Sequence, residues 1–353
     1  MPIASTQNIA LVVGDNGIIG HTLAGHLASL PDWQVIGISR RPAAADQGWQ
    51  HLSVDLLDAA RARAALAPLR SVTHVFHAAY LPHDDTASLE AQNLAMLRNV
   101  VEPLAADASG LRRVILYQGA KYYGAHLGAF PTPARETDPR QLPPNFYYAM
   151  QDWLLDAANG RPWDALMLRP DLVCTASAGS PMNIVVAIAV YASLSKALGL
   201  PLRFPGSREC YTRLAQATDA TQLARGSVWA AQHGVAGEAY NLTNGDIFRW
   251  HQLWVAIAGW FEMPLGEPMP VPLTSLMRDK GPLWQSLVTR HQLQPIPYHQ
   301  LVTWEFADFI LRCDWDVICS VTKIRQAGFH DTVDTTAMFL QLLGDLRARR
   351  IIP

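Results

Sequence analysis

The chain has 353 residues, half of them hydrophobic and 16% charged, with a formal net charge of −2. That balance describes a soluble globular protein with core enough for one large domain or a domain with an appendage, and it leaves no electrostatic footprint for nucleic acid. Four cysteines (Cys174, Cys210, Cys313, Cys319) show no CxxC or zinc-type spacing, so reduced thiols, a cytoplasmic setting and no metal site are expected.

No targeting or membrane segment is expected either. Residues 1–7 are short and polar, unlike a signal peptide. The most apolar helical stretch, 182–194, meets Ser195 and Lys196 before it is long enough to span a bilayer.

The first element organises the rest. An apolar run over 9–13 meets Gly14, then Gly17 and Gly20 at three-residue spacing, followed by Ile19, Leu23 and Leu27 at helical spacing. Strand, glycine turn and helix in that order predict a dinucleotide site, with the phosphates at the helix start. A second strand over 33–39 ends in Arg40-Arg41-Pro42. An NAD site usually carries an acid at this strand end, whereas two arginines offer bidentate donors to a 2′-phosphate, so NADP(H) is favoured.

A third strand over 51–54 ends in Asp55, placed for the adenine edge, and a helix is predicted over 59–69. The fourth strand, 73–79, ends in the small residues Ala78 and Ala79, leaving room for a ligand at the mouth of a parallel sheet. His77 reads as a packed histidine. Asn93 reads equally as an orienting group or a solvent-facing one. The fifth strand, 113–118, leads to Gly119-Ala-Lys121, a proline-rich loop over 131–144 and the helix entry Asn145-Phe-Tyr147-Tyr148. A sixth strand over 165–168 runs into Arg169-Pro170-Asp171-Leu172-Val173. The alternation argues a doubly wound parallel Rossmann sheet of the α/β class.

Beyond Cys174 the alternation weakens. Helices are predicted over 183–198, from 220 to 231 and over 250–261, with a late strand over 237–243 and a mostly helical tail. The expected division is a coenzyme-binding domain over 1–174, with elements from about 205–245 returning to it, and a mainly helical substrate-capping part over 175–353.

A reductase on this scaffold needs a proton donor beside the coenzyme. The ordinary short-chain arrangement, a tyrosine with a lysine four residues later, is missing: Gln151 follows Tyr147 and Asp152 follows Tyr148 at that distance. The strand-end serine is missing too. Its parts remain in displaced form, with Tyr147 and Tyr148 at the helix start and Lys121 after the preceding strand, from where an ammonium is expected to reach the same hydroxyl. Lysine is scarce (Lys121, Lys196, Lys280 and Lys323 are all there are), which draws attention to Lys121.

These residues resemble the progesterone 5β-reductase/iridoid synthase-like group of atypical extended short-chain dehydrogenases/reductases over nearly the whole chain. The matching stretches include Gly14 to Gly20, Ser39-Arg40-Arg41, Gly119-Ala-Lys121, Asn145-Phe-Tyr-Tyr148, Arg169-Pro170, Met182-Asn-Ile-Val185 and the Ile351-Ile-Pro end. The resemblance implies an NADPH-dependent enone reductase with Tyr147 as catalytic tyrosine and Lys121 as its partner. It further implies coenzyme contacts at Asn16, Gly17, Ile18, Arg40, Arg41, Asp55, Leu56, Ala79, Tyr117, Val173, Ser180 and Met182, alongside Gly14 and Gly20 of the glycine turn. Two departures stand out: Gln151 replaces the group's acid, and the aromatic-rich end of strand four is reduced to Ala78-Ala79-Tyr80. Tyr148, Trp304 and Phe306 are the expected apolar walls for an enone or enal substrate.

The expected reaction is conjugate reduction of an activated C=C bond, with Tyr147 stabilising the enolate. Carbonyl reduction by the same tyrosine stays open, as do a nucleotide-sugar epimerase or dehydratase and a non-catalytic NADP(H)-sensing regulator. A homodimer is a family-level expectation only.

Overall fold

A parallel sheet of seven strands carries the molecule, and in the computed structural model, which describes residues 7–42, 47–107, 110–178, 180 and 182–353, the order of its elements follows the alternation read from the sequence. Residues 1–6, most of the polar amino-terminal stretch, lie outside the described residues. The strands and helices are β1 (Asn8–Val13), α1 (Ile18–Ala28), β2 (Trp33–Ser39), β3 (Gln50–Ser53), α2 (Ala59–Leu66), β4 (His74–His77), α3 (Thr86–Asp107), β5 (Arg113–Tyr117), α4 (Phe146–Ala158) and β6 (Asp164–Arg169). After them come β7 (Val173–Cys174), α5 (Ile184–Ala197), α6 (Arg208–Thr212), β8 (Leu214–Ala215), β9 (Thr218–Asp219), α7 (Ala220–His233), β10 (Ala239–Asn241), β11 (Phe248–Arg249) and α8 (Trp250–Trp260). Shorter helices and the long helix Thr335–Ala348 complete the chain.

The sheet order is β10-β6-β5-β4-β1-β2-β3, the doubly wound arrangement whose reversal lies beside β1. Strands buried on both faces read as continuous apolar runs, and β1 shows it, with Ala10 to Val13 at 0% exposure. Its register, Leu11 opposite both Ile36 and Val75, sets Val13 beside Ile38 and His77, so the three strand ends open on one edge.

Apolar cores lie on both sides of the sheet. Helices α2, α3 and α4 cover one face through Leu66, Leu97, Val101 and Leu154. Helices α1 and α7 cover the other through Leu23, Leu27, Leu223 and Ala230. The late strand β10 returns to the sheet edge as the parallel neighbour of β6, pairing Tyr240 with Leu168. A third core is built from α5, α8 and the carboxy-terminal helices, centred on Phe204, Trp254 and Phe339. Helix α5 is buried nearly all round, from Ile184 to Ser195, which is why its sequence looks almost membrane-like. Among the described residues no helix is long and apolar enough to cross a membrane.

Two side-chain expectations resolve here. His77 is buried inside the sheet, and burial pushes its imidazole down to about 4. Asn93 is fully buried and clamps the loop after β4, accepting from Leu81 N–H at 2.9 Å and donating to the Leu81 and Leu89 carbonyls at 2.8 Å each.

Candidate active site

The carboxyl ends of the strands open into one cavity of about 670 Å³, within the range of small-molecule and cofactor sites. At one end lies the glycine turn. Gly14 sits at φ +86°, a left-handed conformation that suits glycine, and a Cβ there would stand 2.9 Å from the Ala79 nitrogen. The turn is closed by Gly14 N–H on Ile38 O and Gly17 N–H on Gly14 O, both at 2.8 Å.

Helix α1 then begins with Gly17 as its cap, with no side chain bonded to its free N–H groups and no acid in its first turn. Helices α4, α5 and α7, by contrast, are capped by Asn145, Asn183 and Asp219. Bare N–H groups facing a cavity are the setting that receives a phosphate. Gly20 does not line the cavity: a Cβ there would meet Gly14 O at 2.2 Å, so this glycine lets α1 pack on the turn.

Around the second strand end, Arg40, Arg41 and Asp55 line the cavity. Asn16 also lines it, yet its amide is engaged in shaping the loop, donating to Ser39 Oγ (2.9 Å), Arg41 O (3.0 Å) and Pro42 O (3.1 Å) and accepting from Gln47. The Arg41 guanidinium donates back to Asn16 O at 2.9 Å. Asp15 is wholly buried behind the turn, bonded to Trp49 Nε1 at 3.1 Å and His51 Nδ1 at 2.7 Å. The Asp55 carboxylate accepts from Leu57 N–H at 3.0 Å. Glycine cradle and bare helix start fit a nicotinamide dinucleotide. Ile18, Leu56, Ala79, Tyr117, Val173, Ser180 and Met182 also line the cavity, with the Tyr117 hydroxyl anchored on Ser227 Oγ at 2.5 Å.

The other end of the cavity holds Tyr147 and Lys121. Asn145 ties them together: its Oδ1 caps α4 by accepting from Tyr147 N–H at 3.0 Å, while its Nδ2 donates to Lys121 O at 2.9 Å. The first residue of the Asn-Phe-Tyr-Tyr motif is therefore the brace between tyrosine helix and lysine turn. Beneath them, Gln118 donates to Tyr147 O at 3.1 Å and to Gln151 Oε1 at 3.2 Å, and the buried Arg169 donates to Gln118, Tyr123 and Gln151 at 2.8, 2.9 and 3.1 Å. Gln151 thus meets an arginine where the resembling group has an acid.

Gly119 packs beside the Tyr147 hydroxyl: a Cβ there would be in ordinary contact with that oxygen at 3.5 Å and tight against Pro170 O at 3.3 Å. Burial, with Tyr80 and Asp171 nearby, raises the Tyr147 phenol above its ordinary value. Burial lowers the Lys121 ammonium. No hydrogen bond joins the two side chains; Lys121 Nζ lies over the rings of Tyr80 (5.8 Å) and Phe309 (5.7 Å). What the two share is the cavity and the Asn145 brace.

Of the expected walls, only Phe306 lines the cavity. Tyr148 turns away, its hydroxyl donating to Tyr122 O at 2.7 Å and accepting from Gln141 N–H at 2.9 Å, so it stiffens the lysine turn from behind. Trp304 is buried in the carboxy-terminal core. On one helix, Trp304–Ile310, residue 304 faces inward while 306, 309 and 310 face the sheet edge. Tyr80, at the strand-four end already singled out, also lines the cavity, as do Phe309, Trp315, His126, Arg213 and Asp171, to which the sequence assigned no role. For Phe309 the signal was present, three residues after Phe306 on the same helix.

A family model described as a PRISE-like Rossmann-fold domain matches residues 49–353. The chain belongs to the PRISE-like Rossmann-fold family. Full-length relatives agree: a 3-oxo-Delta(4,5)-steroid 5-beta-reductase of Arabidopsis thaliana is 33% identical over 100% of this chain and 95% of its own. An (S)-8-oxocitronellyl enol synthase of Camptotheca acuminata is 32% identical over 98% of this chain and 94% of its own. Among solved structures, a putative epimerase of Burkholderia cenocepacia superposes with a TM-score of 0.70 at 17% identity, covering 97% of this chain and 98% of its own. The Bordetella bronchiseptica enzyme WbmG in complex with NAD superposes at 0.69 and 14% identity, covering 100% and 98%. These distant likenesses show the extended short-chain dehydrogenase/reductase fold. As a PRISE-like protein the chain is an oxidoreductase with a nicotinamide dinucleotide site.

Proposed function

We propose that this PRISE-like chain is an NADPH-dependent ene-reductase that reduces the activated C=C bond of an enone or enal by conjugate addition. The observation that carries the reading is one apolar cavity holding, at its two ends, the glycine cradle with Arg40 and Arg41 and the pair Tyr147 and Lys121. The relatives named for a steroid 5-beta-reductase and for an enol synthase support the same reaction class. Two arginines at the second strand end favour the 2′-phosphate of NADPH over NADH.

The coenzyme, when bound, supplies the hydride. Everything else falls to the chain. Tyr147 keeps its proton, because burial raises the phenol, and donates a hydrogen bond to the substrate oxygen on which negative charge develops. Lys121 adds positive potential from the same wall, its ammonium held over two aromatic rings. Phe306 and Phe309 shield the oxygen from bulk water, where the same donor would be worth less.

Following NADPH absorbance with 2-cyclohexenone tests the reading, with the product identified. Saturated ketone is expected. Tyr147→Phe should lower kcat by about 10²–10³-fold, the cost of one oxyanion donor, with NADPH affinity unchanged. An allylic alcohol as product would replace conjugate with carbonyl reduction. Tight NADPH binding without turnover over a broad panel of enones and aldehydes would favour a sensor.

A further inference from the structure

Asp171 has no part in the scheme above. It follows Pro170 at the end of β6 and lines the cavity on the same wall as Tyr147. The Asp171 charge reaches the Tyr147 phenol and raises it, and the Tyr147 hydroxyl and the carbonyl of Pro170, the residue before Asp171, lie on either side of Gly119, 3.5 and 3.3 Å from where its Cβ would be. The turn is held from outside by the buried Thr218, whose hydroxyl donates to Asp171 O at 2.6 Å and accepts from Asp171 N–H at 3.2 Å. Leu172 then takes φ +38°, a left-handed conformation uncommon for a non-glycine residue. Strained backbone at a cavity wall is a recognised companion of function.

Among the described residues no cation is bonded to the carboxyl, although Arg213 and Lys121 line the same cavity. Arg169, two residues earlier, is committed to Gln118, Tyr123 and Gln151, and Lys121 lies over its two rings. The Leu172 backbone lowers the Asp171 carboxyl, but burial outweighs it. The titratable groups that feel its charge are Tyr147 on α4, Cys174 on β7, and Cys313 and Cys319 in the carboxy-terminal part, each of which it raises. A carboxylate so placed is poorly solvated and uncompensated.

We propose that Asp171 is a second catalytic residue, a carboxylic acid that supplies the proton completing reduction of the substrate held by Tyr147. The inference rests on the reductase reading. Hydride transfer forms the new C–H bond at the β-carbon, the C=C electron pair shifts toward the carbonyl, and the oxygen takes the negative charge. The Asp171 O–H bond breaks, its proton goes to that oxygen, and the enol ketonises in water. The carboxylate left behind regains its proton from solvent. The division of labour has a physical basis. Tyr147, with its phenol raised, is a good hydrogen-bond donor but a weak acid. Burial lifts Asp171 to about 7, where a general acid is best matched to neutral conditions.

The test uses full-length enzyme saturated with NADPH and 2-cyclohexenone, from about pH 5.5 to about pH 9, where acid catalysis of this kind shows. Wild-type kcat should be level on the acid side and fall as Asp171 ionises near 7. Asp171→Asn, which leaves both backbone bonds to Thr218 in place, should lose that limb and run at least about tenfold slower at acid pH. Independently of turnover, infrared difference spectra of the NADP⁺ complex should show a carboxylic acid band at pH 6 that fades near 7 and is missing in the variant. A variant with wild-type rate and pH profile, or an Asp171 carboxyl ionised at pH 6, would overturn the proposal. The product separates the two ideas, since an allylic alcohol would reject conjugate reduction while the pH limb and the band still decide Asp171. Should no substrate turn over, the reductase reading fails and takes the catalytic role of Asp171 with it, whatever protonation state the infrared titration finds.

Discussion

Changing Gln151 to glutamate examines the buried platform under Tyr147. Arg169 is 1% exposed and its guanidinium hydrogen-bonds neutral groups, Gln118 Oε1, the Tyr123 hydroxyl and, at 3.1 Å, Gln151 Oε1, with Glu136 near enough to feel its charge. Gln118 also donates to that Gln151 oxygen at 3.2 Å. In Gln151→Glu both bonds acquire a charged acceptor. An opposite pair at about 4 Å gains roughly 4 kcal/mol at an effective dielectric of about 20, and desolvating the carboxylate takes back much of it. The net expectation is about 1–2 kcal/mol of added stability.

The pH dependence follows from the pairing. A carboxyl beside Arg169 has a folded pKa below its unfolded value of about 4.3. Its contribution is therefore present above about 4.3 and fades as pH falls through the folded value. Gln151→Leu supplies the opposite sign, since it leaves an Arg169 N–H without a partner and should cost about 1–3 kcal/mol. Denaturation midpoints of the three proteins at pH 7.5 and in acid measure both effects. A Gln151→Glu protein less stable than wild type at pH 7.5, or one whose gain persists unchanged in acid, would refute the view of Arg169 as under-compensated.

Other outcomes follow from the site. Arg40→Ala with Arg41→Ala should raise the NADPH KM by about 10–100-fold, the value of one or two charge-assisted bonds, and leave the NADH KM nearly unchanged; equal changes would dismiss the 2′-phosphate assignment. Gly20→Ala should weaken coenzyme binding and cost about 3 kcal/mol or more, because its Cβ would meet Gly14 O at 2.2 Å in backbone that cannot yield without opening the cradle. NADPH fluorescence titration beside a melting curve reads both. Asn145→Ala should cost about 1 kcal/mol as a lost helix cap and lower kcat by more than that loss implies, since Lys121 O loses its tie to α4; stopped-flow turnover against stability distinguishes brace from cap.

Much of the fold is legible in the sequence because parallel strands and amphipathic helices write their period locally. The strand over 33–39 and its pairing to β1, the glycine turn at 14–20 and the helix start at Asn145 all rest on near neighbours in the chain. So does the choice of Tyr147 and Lys121 as residues of interest, since the displaced pair is visible as spacing. Local pattern is less informative about direction. Tyr148 is adjacent to Tyr147, yet the helix turns it about 100° away, onto Tyr122. Trp304 and Phe306 are two positions apart on one helix and face opposite ways for the same reason.

The sequence by itself determined the strand, glycine turn and helix over 8–28 and the two arginines at the next strand end, because cradle and strand end are built from contiguous backbone. Only the tertiary structure decided what surrounds the reacting end. It put Asn16 to work on the 39–42 loop, tied the Lys121 turn to the Tyr147 helix through Asn145, and set Arg169 on Gln151. It also left Asp171 at the cavity wall with no ion pair among the described residues, a property of groups drawn from distant segments and therefore of no single stretch.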